Sequence, residues 1–290
     1  MGASGAGPLM RVLVTGADGQ VGRELVAVLD AAGHEIVATD QHSLDVSDRD
    51  QVLQAVATIR PATIVHTAAW TAVDACESDP DQAFRVNALA VRHVAEAARR
   101  FEAHVCHLST DYVFDGTKPE PYLEWDQPNP QSVYGRSKLG GEWELDSSST
   151  LVRTAWVCGQ HGSNMVKTIL RLASEREQLS FVDDQHGSPT SAADLAAKIV
   201  ELVVGRRPGT FHVTNQGATT WYGLARAVMA SAGLDPDRVR PIATAELDPP
   251  RPAPRPANSV LDNTALRLGG LSLLPPWQES ADRLVRELRG

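Results

Sequence analysis

Arg11-Val12-Leu13-Val14-Thr15-Gly16-Ala17-Asp18-Gly19-Gln20-Val21-Gly22 passes from a short apolar run into three glycines spaced G-x-x-G-x-x-G. Val12, Leu13 and Val14 predict a strand buried on both faces. The residues after Gly19 predict a helix continuing through Glu24, Leu25, Val26, Val28 and Leu29. Strand, glycine turn and helix form the setting in which backbone amides approach a pyrophosphate and the positive helix end faces it. Gly16, Asp18, Gly19, Gln20, Val21 and Gly22 are therefore candidate dinucleotide contacts. The next strand, Glu35 to Thr39, ends at Asp40, which is placed to accept the adenosine ribose hydroxyls.

The rhythm continues. Val52 to Ile59 reads as helix, Thr63 to His66 as strand, Asp81 to Arg100 as one long helix, and His104 to Leu108 as strand. Ser132 to Leu145 reads as helix and Thr150 to Thr154 as strand. Such βαβα alternation predicts an α/β fold, a doubly wound parallel sheet with ligands at the carboxyl ends of its strands. Three motifs fall there: Leu44-Asp45-Val46, Thr67-Ala68-Ala69-Trp70 and Ser109-Thr110-Asp111-Tyr112.

Beyond about Trp156 the alternation breaks. Helices are expected over Asn164 to Glu175, Ala192 to Val203, Tyr222 to Ala232 and Asp282 to Leu288, with short strands at Leu179 to Val182 and Phe211 to Val213. Asp248 to Pro256 (DPPRPAPRP) is an extended loop, either a linker or a flap over a ligand. Residues 10–155 are thus expected to form the dinucleotide-binding domain. Residues 156–290 are expected to form mainly a smaller lobe, with some segments returning to the core. The uncharged, glycine-rich stretch Met1 to Leu9 reads as a disordered tail rather than a signal peptide.

Composition excludes several classes. The net charge of −9 disfavours nucleic-acid binding, and no run approaches the roughly 18 apolar residues of a membrane span. Cys76, Cys106 and Cys158 are scattered without metal-ligand spacing and suit a cytoplasmic protein.

The reactive chemistry lies in Tyr134-Gly135-Arg136-Ser137-Lys138. Tyrosine and lysine at i and i+4 share one helix face. A neighbouring ammonium and an oxidised nicotinamide are expected to lower the phenol pKa towards the working range. With four tyrosines and four lysines in 290 residues, chance supplies only about 0.06 such pairs. Thr110 offers a hydroxyl to hold a substrate oxygen beside the phenol.

Glycine fingerprint, hydroxyl and Y-x-x-x-K together resemble the extended branch of the short-chain dehydrogenase/reductase superfamily. More narrowly, Ala68 to Asp74, Ser109 to Gly116, Val133 to Glu142, Arg153 to Val157, Asp184 to Thr190 and Arg255 to Ser259 resemble the dTDP-4-dehydrorhamnose reductase family. That resemblance implies a Rossmann sheet with a C-terminal substrate-binding lobe. It also implies reduction by NADPH or NADH of the C4 ketone of dTDP-4-dehydro-6-deoxy-L-mannose, giving dTDP-L-rhamnose. Tyr134 would donate the proton, Lys138 would tune it and hold the ribose, and Thr110 would orient the carbonyl. Asp45, Val46, Ala68, Ala69, Tyr134 and Lys138 would line the cofactor. Thr71, Val73, Asp111, Tyr112, Trp156 and Asn164 would join Thr110 at the dTDP-sugar, and Asn87 matches a structural asparagine of the superfamily. Some members bind Mg2+ at a dimer contact through glutamates, one directly after a C-terminal tryptophan. Here Gln278 follows Trp277. An amide is a poor ligand for so hard a cation, so no metal ligand is assigned and a monomer or metal-independent homodimer is expected. Glu279, Glu287 and Asp194 are the remaining carboxylates there.

Three other readings stay in view. A 4,6-dehydratase would carry Asp-Glu where this chain has Asp111-Tyr112, and a 4-epimerase would keep its nucleotide permanently bound. A non-catalytic regulatory subunit of this fold would not need Thr110, Tyr134 and Lys138 together.

Overall fold

The computed structural model describes residues 9–290. The disordered tail expected over Met1 to Leu9 lies outside the described residues but for Leu9. Six strands form the central sheet: β1 (Arg11–Thr15), β2 (Glu35–Thr39), β3 (Thr63–His66), β4 (His104–Thr110), β5 (Thr150–Thr154) and β6 (Gly209–His212). They lie in the order β6-β5-β4-β3-β1-β2, every neighbouring pair parallel. The principal helices are α1 (Gln20–Ala31), α2 (Arg49–Ile59), α3 (Ala90–Phe101), α4 (Val133–Glu142), α5 (Met165–Glu175), α6 (Ala192–Val204), α7 (Trp221–Ser231) and α8 (Trp277–Arg289).

Strand alternation sorts the side chains into two layers. Val12, Val14, Val65, Cys106 and Val152 pack beneath α1 and α6, whose Leu25, Leu29, Leu195 and Ile199 close that face. Leu13, Ile64 and Val105 face α2 and α3 through Val52, Val56, Val94 and Ala97. The chain leaves β1 for β2 on one side and returns to β3 on the other, so a crevice opens where the strand order reverses. The glycine turn fills that point. Gly16 has φ of +73°, and a Cβ there would lie 2.6 Å from the Ala68 amide nitrogen. A Cβ at Gly22 would lie 2.2 Å from the Gly16 carbonyl oxygen, so neither position admits a side chain.

A second apolar cluster joins α5, α7 and α8 through Ile169, Leu224, Met229, Trp277 and Leu284. It sits over the paired strands Leu179–Val182 and Val239–Ile242. Helix α6 and strand β6 come from the C-terminal half yet complete the central sheet layers. Among the described residues, no helix is long and apolar enough to cross a membrane.

Several expected boundaries shift for physical reasons. The single helix expected over Asp81 to Arg100 is three segments, Pro80–Phe84, a π-helical turn Arg85–Leu89, and α3. The wide turn directs Asn87 inward. Its amide donates to the Trp70 carbonyl and to Ser137 Oγ and accepts from the Trp70 amide. Strand β4 continues to Thr110, two residues beyond the expected end, so Ser109 and Thr110 belong to the sheet. Helix α8 begins at Trp277, five residues early, because Trp277, Ala281, Leu284 and Val285 form one buried stripe. The short helices Val73–Ser78 and Thr264–Leu268 were not foreseen. Nor was the strand Val239–Ile242, whose Pro241 argues against a central strand but is tolerated in a two-stranded pair.

Candidate active site

Helix α1 starts at Gln20, and Gly19 before it offers no side-chain cap. By contrast, α2, α4, α5, α6 and α7 are capped by Asp48, Ser132, Asn164, Ser191 and Thr220. The first amides of α1 are thus left open to a ligand. Gln20, Val21 and Gly22 border a cavity of about 420 Å³ that also contains Thr71, Val73, Thr110, Asp111, Tyr112, Tyr134, Lys138 and Trp156.

A second cavity, about 620 Å³, adjoins the first at Gly19, Thr67 and Ala69. Its walls are Gly16, Asp18, Asp40, Asp45, Val46 and Ala68, together with His42 and Arg85. Asp40 Oδ1 accepts from the His42 and Ser43 amides and from Ser43 Oγ at 2.8–3.0 Å. Those hydrogen bonds, Ser43's foremost, hold its carboxyl down to about 2. Arg11 and Arg49, the other cations near this stretch of sequence, are engaged by Glu35 and Glu96.

A third cavity of about 370 Å³ shares Tyr112 and Trp221 with the first. Met165 and Phe181 give it apolar walls, and Arg251 and Arg255 give it positive charge. Both arginines come from the proline-rich stretch. Arg255 pairs with Asp74, and the Ala253 amide donates to Asp74 Oδ1 at 3.1 Å. The stretch is therefore tied down beside a cavity rather than being a free linker.

Thr110 is the last residue of β4. Its hydroxyl donates to Asp111 Oδ1 at 2.9 Å and accepts from the Tyr112 amide at 3.2 Å. Tyr134 occupies the first turn of α4, with its ring edge-on to Tyr112 at 5.5 Å. Lys138, one turn further, is only 2% exposed. Its Nζ donates to the Leu108 carbonyl at 2.7 Å and lies 3.4 Å from His107 Nε2. Burial lowers Lys138 to about 8, opposed by the charge of Glu142.

Lys138 does not supply its share of the expected depression of the Tyr134 phenol. Burial pushes it above the ordinary phenol range, with the Thr110 hydroxyl opposing, while the Lys138 ammonium is turned to the β4 backbone. The phenol is thus firmly protonated at neutral pH. Asp111 is raised to about 6 by burial, with Ser259 and Thr110 opposing. Its Oδ2 has no partner among the described residues.

Asn164 is the one proposed substrate contact that lies outside all three cavities. It caps α5 by accepting from the Lys167 amide at 3.2 Å, and it donates to Gln20 Oε1 at 3.0 Å and to the Gly159 carbonyl. Its short side chain is spent joining the glycine turn to α5. Trp156 does reach the first cavity, at φ +47°, with its indole stacked on Trp221 at 3.5 Å between ring centroids. Trp221, Arg85, Arg251 and Arg255 were missed, because no local motif marks them; only the fold brings them to the cavities.

Two of the carboxylates nearest the metal position implied by the resemblance are engaged within the chain. Asp194 accepts from Arg283, Ser280 and Asn215, and Glu287 accepts from Gln160. Among the described residues no group of three or more His, Cys, Asp or Glu converges for a metal.

Comparison with known proteins places this geometry. The chain is 44% identical over 280 residues to dTDP-4-dehydrorhamnose reductase of Streptomyces griseus, covering 93% of this chain and 91% of the relative. It is 43% identical over 276 residues to dTDP-4-keto-6-deoxy-D-glucose reductase of Streptomyces niveus, covering 92% and 93%. The crystal structure of dTDP-4-dehydrorhamnose reductase from Bacillus anthracis in complex with NADP superposes with a TM-score of 0.92 at 39% identity, covering 97% of this chain and all of that one. A family model described as the RmlD substrate binding domain matches residues 10–289, and this chain belongs to that family.

Proposed function

We propose that this chain uses NADPH or NADH to reduce the C4 ketone of dTDP-4-dehydro-6-deoxy-L-mannose to dTDP-L-rhamnose, in dTDP-rhamnose biosynthesis. The observation that carries the reading is the convergence of Thr110, Tyr134 and Lys138 on one cavity that opens to the uncapped end of α1 on one side and an arginine-bearing cavity on the other. Residues 10–155, with α6 and β6, serve as the dinucleotide unit, and the α5, α7 and α8 cluster serves as the substrate lobe.

The residues present fit a dinucleotide. The amides of Gln20, Val21 and Gly22 hold the pyrophosphate, and Asp40 holds the adenosine ribose. Asp18, Asp45 and Val46 border the adenine side, and Gly16, Ala68 and Ala69 offer backbone at close approach. When bound, the reduced nicotinamide supplies hydride chemistry. Tyr134 donates its proton to the ketone oxygen, and its burial keeps that proton in place until the oxygen becomes basic. Thr110 directs the oxygen toward the phenol. Lys138 holds the ribose and stabilises the phenolate left behind. Thr71, Val73, Asp111, Tyr112 and Trp156 enclose the sugar. Arg251 and Arg255 face the diphosphate, and Met165 and Phe181 face the base.

Three buried free cysteines suit a reducing, cytoplasmic setting. A monomer or a homodimer held without metal is the proposed state.

The test is incubation with the 4-keto sugar nucleotide and NADPH, following loss of reduced nicotinamide and identifying the sugar by NMR. Stoichiometric formation of dTDP-L-rhamnose, undiminished by EDTA, is expected. Consumption of only the 4-keto-6-deoxy-glucose nucleotide, which differs at both C3 and C5, would overturn the substrate assignment. In the same assay both cofactors support turnover. Asp40→Ala shifts the kcat/KM ratio toward NADPH by roughly tenfold, because a carboxylate repels the 2′-phosphate. An unchanged ratio would remove Asp40 from the ribose site.

A further inference from the structure

Thr15, His66 and His107 occupy one register level across β1, β3 and β4. All three are essentially buried, where parallel sheets normally hold aliphatic side chains. Thr15 Oγ1 and His66 Nδ1 lie 2.7 Å apart, and the two imidazoles stack at 5.3 Å between centroids and 23° between planes. The row ends at Lys138, whose Nζ is 3.4 Å from His107 Nε2. His66 Nε2 and His107 Nδ1 have no partner among the described residues. Buried polar groups left half-satisfied are costly.

Burial is the main influence keeping both rings neutral, aided by the positive charge of Lys138. It holds His66 down to about 3 and His107 well below the ordinary imidazole range. A neutral imidazole facing an ammonium must present a lone pair, so Nε2 accepts and Nδ1 carries the hydrogen.

We infer that His107, backed by the stacked ring of His66, is a positioning residue for Lys138. An ammonium has three N–H groups. The Leu108 carbonyl takes one and His107 takes the second, which turns the third toward the crevice where the ribose and the phenol meet. The imidazole also favours the charged amine, opposing the burial that lowers Lys138. The other titratable groups around Lys138 are Tyr134 one turn before it, Glu142 one turn after it, and His66 behind His107. Glu142 is already shared between Arg153 and Ser109. His107 is therefore, beside the Leu108 carbonyl, the sheet-side group that can accept from the ammonium directly.

This inference rests on the reductase reading of Lys138, and the experiment separates the two. His107→Leu and His107→Gln are compared with the unaltered enzyme in NADPH-dependent turnover across pH. His107→Leu is expected to lower kcat by roughly tenfold, the worth of one hydrogen bond to a charged group. It also moves the alkaline fall of kcat/KM to lower pH, because an ammonium with one acceptor fewer loses its proton sooner. His107→Gln, whose carbonyl can accept, recovers most of both. Equal losses in the two variants with an unmoved alkaline limb would reduce His107 to a packing role and overturn the inference. Full activity in Lys138→Met would instead overturn the reading of Lys138. A readout on the unaltered chain, 15N-detected imidazole tautomers, is independent of whether the variants fold. A neutral His107 protonated at Nδ1 is expected, and protonation at Nε2 would overturn the inference because it would aim a hydrogen at the ammonium.

Discussion

Tyr134→Phe is expected to lower turnover by roughly 100- to 10,000-fold, the range associated with loss of a positioned general acid. NADPH affinity should stay within about twofold, because the pyrophosphate is assigned to α1, the adenosine ribose to Asp40 and the other ribose to Lys138, rather than to the phenol. The substitution removes one oxygen from a ring that lies edge-to-face with Tyr112, in an apolar cluster with Cys76, Ala83 and Val133. Folding should be preserved. Steady-state kcat, cofactor affinity by fluorescence titration and thermal unfolding separate the three effects. The phenol lies above its ordinary range through burial, so the parent enzyme should show no loss of activity from Tyr134 ionisation between pH 6 and 9. An alkaline limb in that window belongs to Lys138, lowered to about 8. Near-parental turnover in Tyr134→Phe would remove the phenol from the chemistry.

The glycine turn and the Tyr134–Lys138 pair were legible because each is a local pattern whose spacing has one geometric meaning. Glycines at every third position permit one tight strand-to-helix turn, and i, i+4 on a helix means one face. The strands Glu35–Thr39, Thr63–His66 and Thr150–Thr154 were likewise located to the residue, since buried parallel strands are short apolar runs between polar breaks. What could not be read was produced by distance. Trp221 reaches Trp156 only because α7 packs on α5 and the lobe strands. Arg251 and Arg255 matter because Asp74, about 180 residues earlier, holds their loop. Asn164 shows the converse: it is placed near the sugar nucleotide by resemblance, but its side chain is consumed by an α5 cap and by Gln20. The direction of the Tyr134 shift also depends on where the Lys138 ammonium points, and a helix-face argument leaves that open. Likewise, the row of Thr15, His66 and His107 is invisible until register aligns three strands.

The largest expected stability loss concerns Glu142, at the end of the same helix. Its carboxylate accepts from Arg153 Nη2 at 2.6 Å, Arg153 Nε at 3.0 Å and Ser109 Oγ at 2.6 Å. Both charged side chains are nearly inaccessible, at 6% and 4% exposure. The pair joins α4 to β4 and β5, so it fixes the helix that carries Tyr134 and Lys138 against the strand that carries Thr110. Glu142→Ala leaves the Arg153 guanidinium buried, with one long hydrogen bond to the Glu124 carbonyl at 3.4 Å and the face of Phe114 at 5.2 Å. Removing one partner of a buried pair typically costs about 3–5 kcal/mol, because the remaining charge has lost its compensation. That is a large share of the roughly 5–15 kcal/mol by which a folded domain is stable. Urea unfolding should therefore show a markedly lower midpoint in Glu142→Ala. The double variant Glu142→Leu with Arg153→Met should recover most of the loss, since it removes both charges and restores apolar volume. A single-variant loss below about 1 kcal/mol would mean that water or another anion reaches Arg153. A double variant as unstable as the two single losses added together would show that the pair acts through packing shape rather than charge.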